Sequence, residues 1–197
     1  IMSLLPYASL THRRKAYRST ASVVLLDDTD YSNAASASIT SGITSTYGEY
    51  IFRFYNINPA TNNTSFHFQG SIDGGSNYNV AITSTFFDAY HSEAGGSPAL
   101  SYEPAWDLAQ GTGFQAISQG ASSDADHSTA GELHIFNPAS TTYVKHFYVR
   151  AQGVYEADYA QDFLPAGYFN TTSAINAVQF KMSSGNFDET IKMWGVK

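Results

Sequence analysis

The chain of 197 residues contains no cysteine, which excludes disulfide bonds, thiolate metal sites and cysteine nucleophiles. Charged residues make up only 14% of the sequence, well below the roughly 25% of an average globular domain. The chain also lacks any run of roughly 18 apolar residues, the length that a transmembrane helix needs. Its stability must therefore come from packing, and a chain of this length can bury the large core of one β domain.

Aromatic residues are abundant, at 15% of the chain, with 14 Tyr and 13 Phe. Short runs rich in aromatic and β-branched residues alternate with turn sequences such as the Asp-Gly-Gly-Ser of residues 73–76, and helical periodicity is nearly absent. This pattern predicts an all-β fold, an antiparallel β-sandwich of the jelly-roll type, with less than a tenth of the chain in helix. We expect residues 21–197 to form that single domain, preceded by an extended N-terminal arm over residues 1–20.

The candidate strands are short, except for one of thirteen residues, 143–155, which we expect to be central in its sheet. They are residues 21–26, 50–56, 65–72, 79–83, 86–91, 114–118, 132–136, 143–155, 167–170 and a final pair near the C-terminus. Alternation within these strands predicts a core. Its expected members are Phe52, Phe54, Phe68, Ile72, Phe147, Val149, Val178, Phe180, Ile191 and Met193.

The first eighteen residues carry an unusual share of the positive charge. Four of the ten basic residues lie there, whereas residues 19–197 hold six basic and 17 acidic residues, a net charge of −11. A basic arm suits an acidic protein neighbour, while the acidic body would repel nucleic acid. A solvated end that contacts nothing is the alternative. The candidate anchoring residues are Leu4, Leu5, Tyr7, Arg13, Arg14, Lys15 and Arg18.

The order of the opening residues bears on targeting. Apolar residues precede the basic cluster, which reverses the order found in a secretory signal. We therefore expect no signal peptide and no insertion into a membrane. Assembly in a host cytoplasm is consistent with this expectation, and so is simple residence in a cytosol.

The C-terminal region has a clear period of two. Val178, Phe180 and Met182 alternate with polar residues, and residues 190–197 repeat the alternation. The Ser-Ser-Gly-Asn of residues 183–186 supplies a turn between the two runs. The sequence therefore predicts that these two strands pair as a β-hairpin.

This C-terminal stretch, AINAVQFKMSSGNFDETIKMWGVK over residues 174–197, resembles the tail of virion proteins of marine tailed bacteriophages. Residues 131–138 and 144–148 look like the same family, so that the resemblance extends from near Phe52 to the C-terminus and leaves residues 1–30 uncovered. It implies a component of the virion. Within that family we expect a surface subunit that is tail-associated or fibre-like, contacts other virion subunits and forms a homo-oligomer such as a trimer. The alternatives are a capsid decoration protein and a lectin-like glycan-binding module without a structural role.

We expect that a ligand, if one is bound, is a glycan of the host surface. His146, Tyr148 and Arg150 share one face of the long central strand, where an aromatic platform beside planar polar groups would suit a sugar. An ordinary solvent-facing row of side chains is the alternative. The loop over residues 101–107 contributes two further aromatic candidates, Tyr102 and Trp106. The full set of candidate glycan-binding residues is Tyr102, Trp106, His146, Tyr148, Arg150 and Trp194.

Catalytic patterns are missing. Glu132 and His134 share a strand face, but the second carboxylate that a retaining glycosidase needs roughly 5–5.5 Å away is not in the pattern. The acidic clusters at residues 27–30 and 124–127 lack the ligand spacing of a calcium loop, and the six histidines are dispersed. We therefore expect no enzymatic activity, no cofactor and no metal.

Overall fold

The computed structural model describes residues 23–96 and 98–197, which form fifteen β-strands and no helix. The strands are β1 Val23–Ala34, β2 Ala37–Ile39, β3 Glu49–Pro59, β4 Phe66–Ser71, β5 Ile82–Thr85, β6 Phe87–Ser92, β7 Ala99–Tyr102, β8 Ala109–Gly111, β9 Gln115–Ala116, β10 Thr129–Phe136, β11 Lys145–Tyr155, β12 Tyr159–Phe163, β13 Ala166–Phe169, β14 Ala177–Met182 and β15 Phe187–Val196. No helix that could cross a membrane occurs in this part of the chain. The predicted arm, residues 1–20, and its seven anchoring residues lie outside the described residues.

The strands form two antiparallel sheets that pack as a sandwich. The smaller sheet has the order β2-β14-β4-β9, and the larger begins β1-β15-β3-β10-β11. Beyond β11 the larger sheet continues as broken strands: β11 pairs with β13 along its first half and with β12 along its second, and these pair in turn with β5 and β6. The strands β8 and β7 form the far edge. Pro165 separates β12 from β13, because proline has no N–H to donate to the ladder.

The order of the strands is that of a jelly roll. Strands β1, β3, β10 and β15 lie in the larger sheet, whereas β2, β4, β9 and β14 lie in the smaller one. Along these eight strands the chain therefore changes sheet at every step except that from β4 to β9, which pair within the smaller sheet, and the first and last strands pair. Two insertions, β5–β8 and β11–β13, widen the larger sheet. The sequence-based prediction of an all-β jelly-roll sandwich is confirmed.

Phenylalanine rings dominate the core between the two sheets. Phe180 of the smaller sheet lies with its ring centroid 5.7 Å from those of both Phe52 and Phe66. Nine of the ten predicted core residues are buried. The exception is Ile72, which is 45% exposed. Strand β4 ends at Ser71, so the alternation that predicted an inward side chain stops one residue before Ile72.

The predicted C-terminal hairpin is wrong. Strand β14 pairs with β2 and β4 in the smaller sheet, whereas β15 pairs with β1 and β3 in the larger one. The turn exists, with Gly185 at a φ of +75°, but it carries the chain from one sheet to the other. Alternation would be the same for a hairpin as for two strands in different sheets, because it shows which face of a strand is buried and not which strand lies beside it.

A carboxyl group without hydrogen-bond partners is buried in the sandwich. Glu189 of β15 is 5% exposed and stands opposite Tyr31 of β1, and neither of its carboxyl oxygens has a hydrogen-bond partner. Burial raises the pKa of Glu189 to about 9. The group is therefore a neutral acid in the folded protein at pH 7.

Candidate functional site

The outer face of the larger sheet, the side turned away from the smaller sheet, carries most of the predicted glycan-binding residues. Strand alternation on β11 places His146, Tyr148 and Arg150 on this face, while Phe147 and Val149 point into the core. The prediction that β11 is a central strand with one packed face is confirmed, since it lies between β10 and the β12–β13 pair.

Strand pairing brings Trp194 onto the same face. The register places Trp194 beside Ile51, Ile51 beside His134 and His134 beside Tyr148. Three strand spacings of roughly 4.8 Å separate Trp194 from Tyr148, a distance of about 14 Å. The two predicted aromatics therefore belong to one row across four strands but do not touch.

An aromatic cluster forms around Tyr148. Its ring stacks on that of His134, with centroids 4.4 Å apart and planes inclined by 14°. Phe136 lies 5.8 Å from Tyr148 and 6.5 Å from His134. Tyr148 remains 40% exposed, so the cluster presents an aromatic surface to solvent on a rigid sheet. Burial raises the pKa of the Tyr148 hydroxyl, and the charges of nearby Glu49 and Glu132 raise it further.

Carboxylates from the two adjacent rows of the outer face flank His134. Glu49 Oε1 lies 2.5 Å from His134 Nδ1, and Glu132 Oε1 lies 3.1 Å from His134 Nε2. Arg53 donates from Nε to Glu132 Oε2 at 3.1 Å, and its guanidinium lies 5.3 Å from the centroid of the Trp194 ring. Burial alone would raise the pKa of Glu132, but the hydrogen bonds and charges of His134 and Arg53 outweigh it and hold that pKa below its usual range.

The remaining members of β11 are more exposed. Arg150 pairs with Asp162 of β12 at 2.8 Å, and 59% of its side chain is exposed. The ring of His146 meets that of Tyr168 on β13 edge-on, at 6.0 Å. Arg150 and His146 therefore lie on opposite sides of Tyr148, with planar polar groups on both flanks of the aromatic cluster.

Tyr102 and Trp106 do not belong to this cluster. Tyr102 lies on the outer face but on β7, at the far edge of the sheet, where its ring packs against Phe87 at 5.1 Å and its hydroxyl donates to Asp107. Trp106 packs instead on the core, with its ring 6.5 Å from Phe86. The loop between them therefore does not hold its two aromatics side by side for one ring ligand.

A shallow cleft of about 650 Å³ adjoins the aromatic cluster at the end of the sheet. Its aromatic lining comes from Tyr47, Phe136, Tyr143 and His146. Tyr143 precedes β11 and is 74% exposed. Of these four only His146 was a sequence-based candidate. Phe136, like Arg53, could have been found from its position in a predicted strand, because alternation puts both opposite the core.

Charged and polar side chains at the centre of the outer face are paired with one another. The two carboxylates beside the aromatic cluster, Glu49 and Glu132, both contact His134, which is itself 7% exposed. In residues 23–96 and 98–197 no three His, Asp or Glu side chains are grouped closely enough to hold a metal ion. Stacking on Tyr148 and hydrogen bonding to Arg150 are the interactions that the face offers to a ligand or a protein.

No family model, curated protein or solved structure matches the chain significantly.

Proposed function

We propose that the chain is a structural subunit on the surface of a bacteriophage particle, tail-associated or fibre-like, without enzymatic activity. The observation that carries this proposal is where the phage-like C-terminal residues lie. They form β14, which lies between two strands of the smaller sheet, and β15, which lies between two strands of the larger sheet. The resemblance therefore rests on the framework strands of the jelly roll and not on a surface appendage.

The outer face of the larger sheet supports contact with other virion subunits. It presents half-buried Trp194 together with exposed Tyr148, Arg53 and Arg150, and Trp, Tyr and Arg are the residue types that dominate the energetics of protein interfaces. We propose a homo-oligomer, with a trimer as one arrangement, that assembles in the host cytoplasm with other virion subunits. Nucleic acid is not a proposed partner, because residues 19–197 carry a net charge of −11.

In this proposal residues 1–20 anchor the subunit to the particle. Deleting them should leave residues 21–197 folded, since the fifteen described strands, which form both sheets, lie between Val23 and Val196. The deletion should abolish incorporation into particles. A truncated subunit that incorporates at full occupancy would remove the anchoring role.

Two matched variants separate the forces that hold the arm. Replacing Arg13, Arg14, Lys15 and Arg18 with Ser should weaken incorporation more at 0.05 M than at 0.3 M salt if charge attraction dominates, because the Debye length is about 10 Å at 0.1 M and higher salt already screens the attraction in the wild type. Replacing Leu4 and Leu5 with Ser tests apolar anchoring in the same assay.

Mass spectrometry of purified particles, followed by a reconstruction of the intact virion, tests the function itself. The proposal expects the chain in stoichiometric amounts on the tail or its fibres. A position on the capsid shell would make it a decoration protein instead. Its absence from purified particles would refute a structural role.

A further inference from the structure

A second cleft, of about 340 Å³, opens on the inner face of the larger sheet, and none of the six sequence-based candidates lines it. It lies where the insertions carry the larger sheet beyond the four strands of the smaller one, between β6, β12 and the segment after β9. We call it the polar cleft. Its volume is within the roughly 300–1,000 Å³ range of small-molecule sites.

Buried polar groups form the floor of the polar cleft. Asp88 of β6 is 0% exposed, accepting from Gln119 Nε2 at 2.6 Å and from Ser101 Oγ at 3.0 Å. Ser101 Oγ also lies 2.6 Å from Glu103 Oε1. Burial raises the pKa of Asp88, and the charge of Glu103 adds to the effect. Because Ser101 has one proton to donate, the two carboxyl groups compete for it.

Gln161 carries an unused acceptor in this cleft. The residue is 6% exposed, and its Nε2 donates to Asp88 Oδ2 at 3.5 Å, but its Oε1 has no hydrogen-bond partner. Buried polar atoms are nearly always paired in folded proteins, and an exception needs an explanation. An O–H donor that enters the cleft would complete the set.

Three tyrosines form the wall of the polar cleft. The rings of Tyr90 and Tyr159 lie 5.9 Å apart, as do those of Tyr155 and Tyr159, and both pairs meet edge to face. Gly120 makes room for Tyr155: with a φ of +59°, it lets the ring lie where an added Cβ would stand 1.9 Å from Tyr155 Cε2. The wall therefore offers apolar ring faces beside a floor of hydrogen-bonding groups.

The charge of the lining restricts the ligand. Asp88 and Glu103 are acidic, and none of the residues that line the polar cleft is basic. An anionic ligand would meet repulsion with no compensating cation. The acceptor of Gln161 lacks a donor, which a hydroxyl group can supply. A sugar ring combines a rim of hydroxyls with an apolar C–H face.

We infer that the polar cleft binds a neutral sugar unit, with Gln161, Asp88 and Glu103 accepting from its hydroxyls and Tyr159 packing against its ring. Binding is a property of the isolated chain. Only its use in contacting a host surface rests on the proposed function, so loss of particle incorporation and loss of sugar binding are separate results.

The test is an NMR titration of the full chain with the methyl glycosides of glucose, galactose, mannose and N-acetylglucosamine, in the millimolar range. N-acetylneuraminic acid serves as the anionic comparison. We expect saturable shifts at residues of the polar cleft with at least one neutral glycoside and none with the acid. Gln161→Leu and Tyr159→Ala should each weaken binding by roughly tenfold, the loss of about one good contact.

Two control variants keep the inference falsifiable. Tyr159→Phe retains the ring and should bind within about twofold of the wild type, a difference of less than 1 kcal/mol. Tyr148→Ala removes the aromatic platform of the outer face and thereby separates binding on that face from binding in the polar cleft. Absence of saturable binding with all four glycosides would overturn the inference and leave a buried water as the partner of Gln161. Binding that survives Gln161→Leu but disappears in Tyr148→Ala would overturn it as well.

Discussion

Glu189 predicts an unusual dependence of stability on pH. Its carboxyl is buried without a partner, and its pKa is raised to about 9 in the folded protein, compared with roughly 4.3 in an unfolded chain. Between these two values the unfolded state has released a proton that the folded state retains. The stabilising contribution of the neutral acid is therefore complete below pH 4 and is lost progressively as the pH rises toward 9.

The magnitude follows from proton linkage. One proton of difference changes the free energy of unfolding by about 1.4 kcal/mol per pH unit. Buried His67 has the opposite tendency, because burial, with the charge of Lys181 adding, lowers its pKa to about 4. That contribution levels off above pH 7, so His67 adds little to the change in stability between pH 7.0 and 8.5. Over this window the wild type should lose about 2 kcal/mol.

Urea unfolding at pH 7.0, 7.5, 8.0 and 8.5 measures the effect on the wild type and on Glu189→Gln, which mimics the neutral acid. The variant should be nearly flat over the window and gain about 2 kcal/mol relative to the wild type across it. Asp188→Asn removes the neighbouring exposed carboxylate and should keep the wild-type slope. A wild type whose stability is constant from pH 7.0 to 8.5, or a Gln variant with the same slope, would refute the reasoning.

Three further predictions address the core and the outer face. Phe180→Ala should cost about 3–5 kcal/mol in urea unfolding, because the ring is fully buried between Phe52 and Phe66; near-wild-type stability would contradict the packing. Ile72→Ala, at a position that alternation had placed in the core, should cost less than about 1 kcal/mol, since the side chain is 45% exposed. His134→Gln should raise the pKa of Glu132, because the contacts of His134 help to hold it low; a carboxyl-carbon NMR titration with an unchanged midpoint would show that Arg53 suffices.

The sequence predicted those features that depend on one strand at a time. Alternation on β11 placed His146, Tyr148 and Arg150 on one face and Phe147 and Val149 on the other. The same local rule identified nine of the ten core residues, and the turn chemistry of Gly and Asn identified the turn at Gly185. It worked because side-chain direction in a strand follows from backbone geometry alone.

Short and polar strands could not be found in this way. Strand β12 was not predicted, and β1 continues to Ala34, eight residues beyond its predicted end. Residues 27–34 of β1 are rich in Asp, Ser and Asn, and they are held by pairing with β15, as in the contact of Asp28 with Lys192. Tertiary context decided the conformation of these segments against their intrinsic preference.

Only the tertiary structure decided which strands pair and which clefts they form. Residues 177–182 and 187–196 alternate as the two strands of a hairpin would, yet they lie in different sheets. Each of them pairs with strands more than a hundred residues away in the chain, and they do not pair with each other. The polar cleft likewise joins Asp88, Gln119 and Gln161 from three distant segments. The sequence determined that the chain is all-β, with one apolar face to each strand. Backbone hydrogen bonds, which carry no side-chain signature, determined which strands pair.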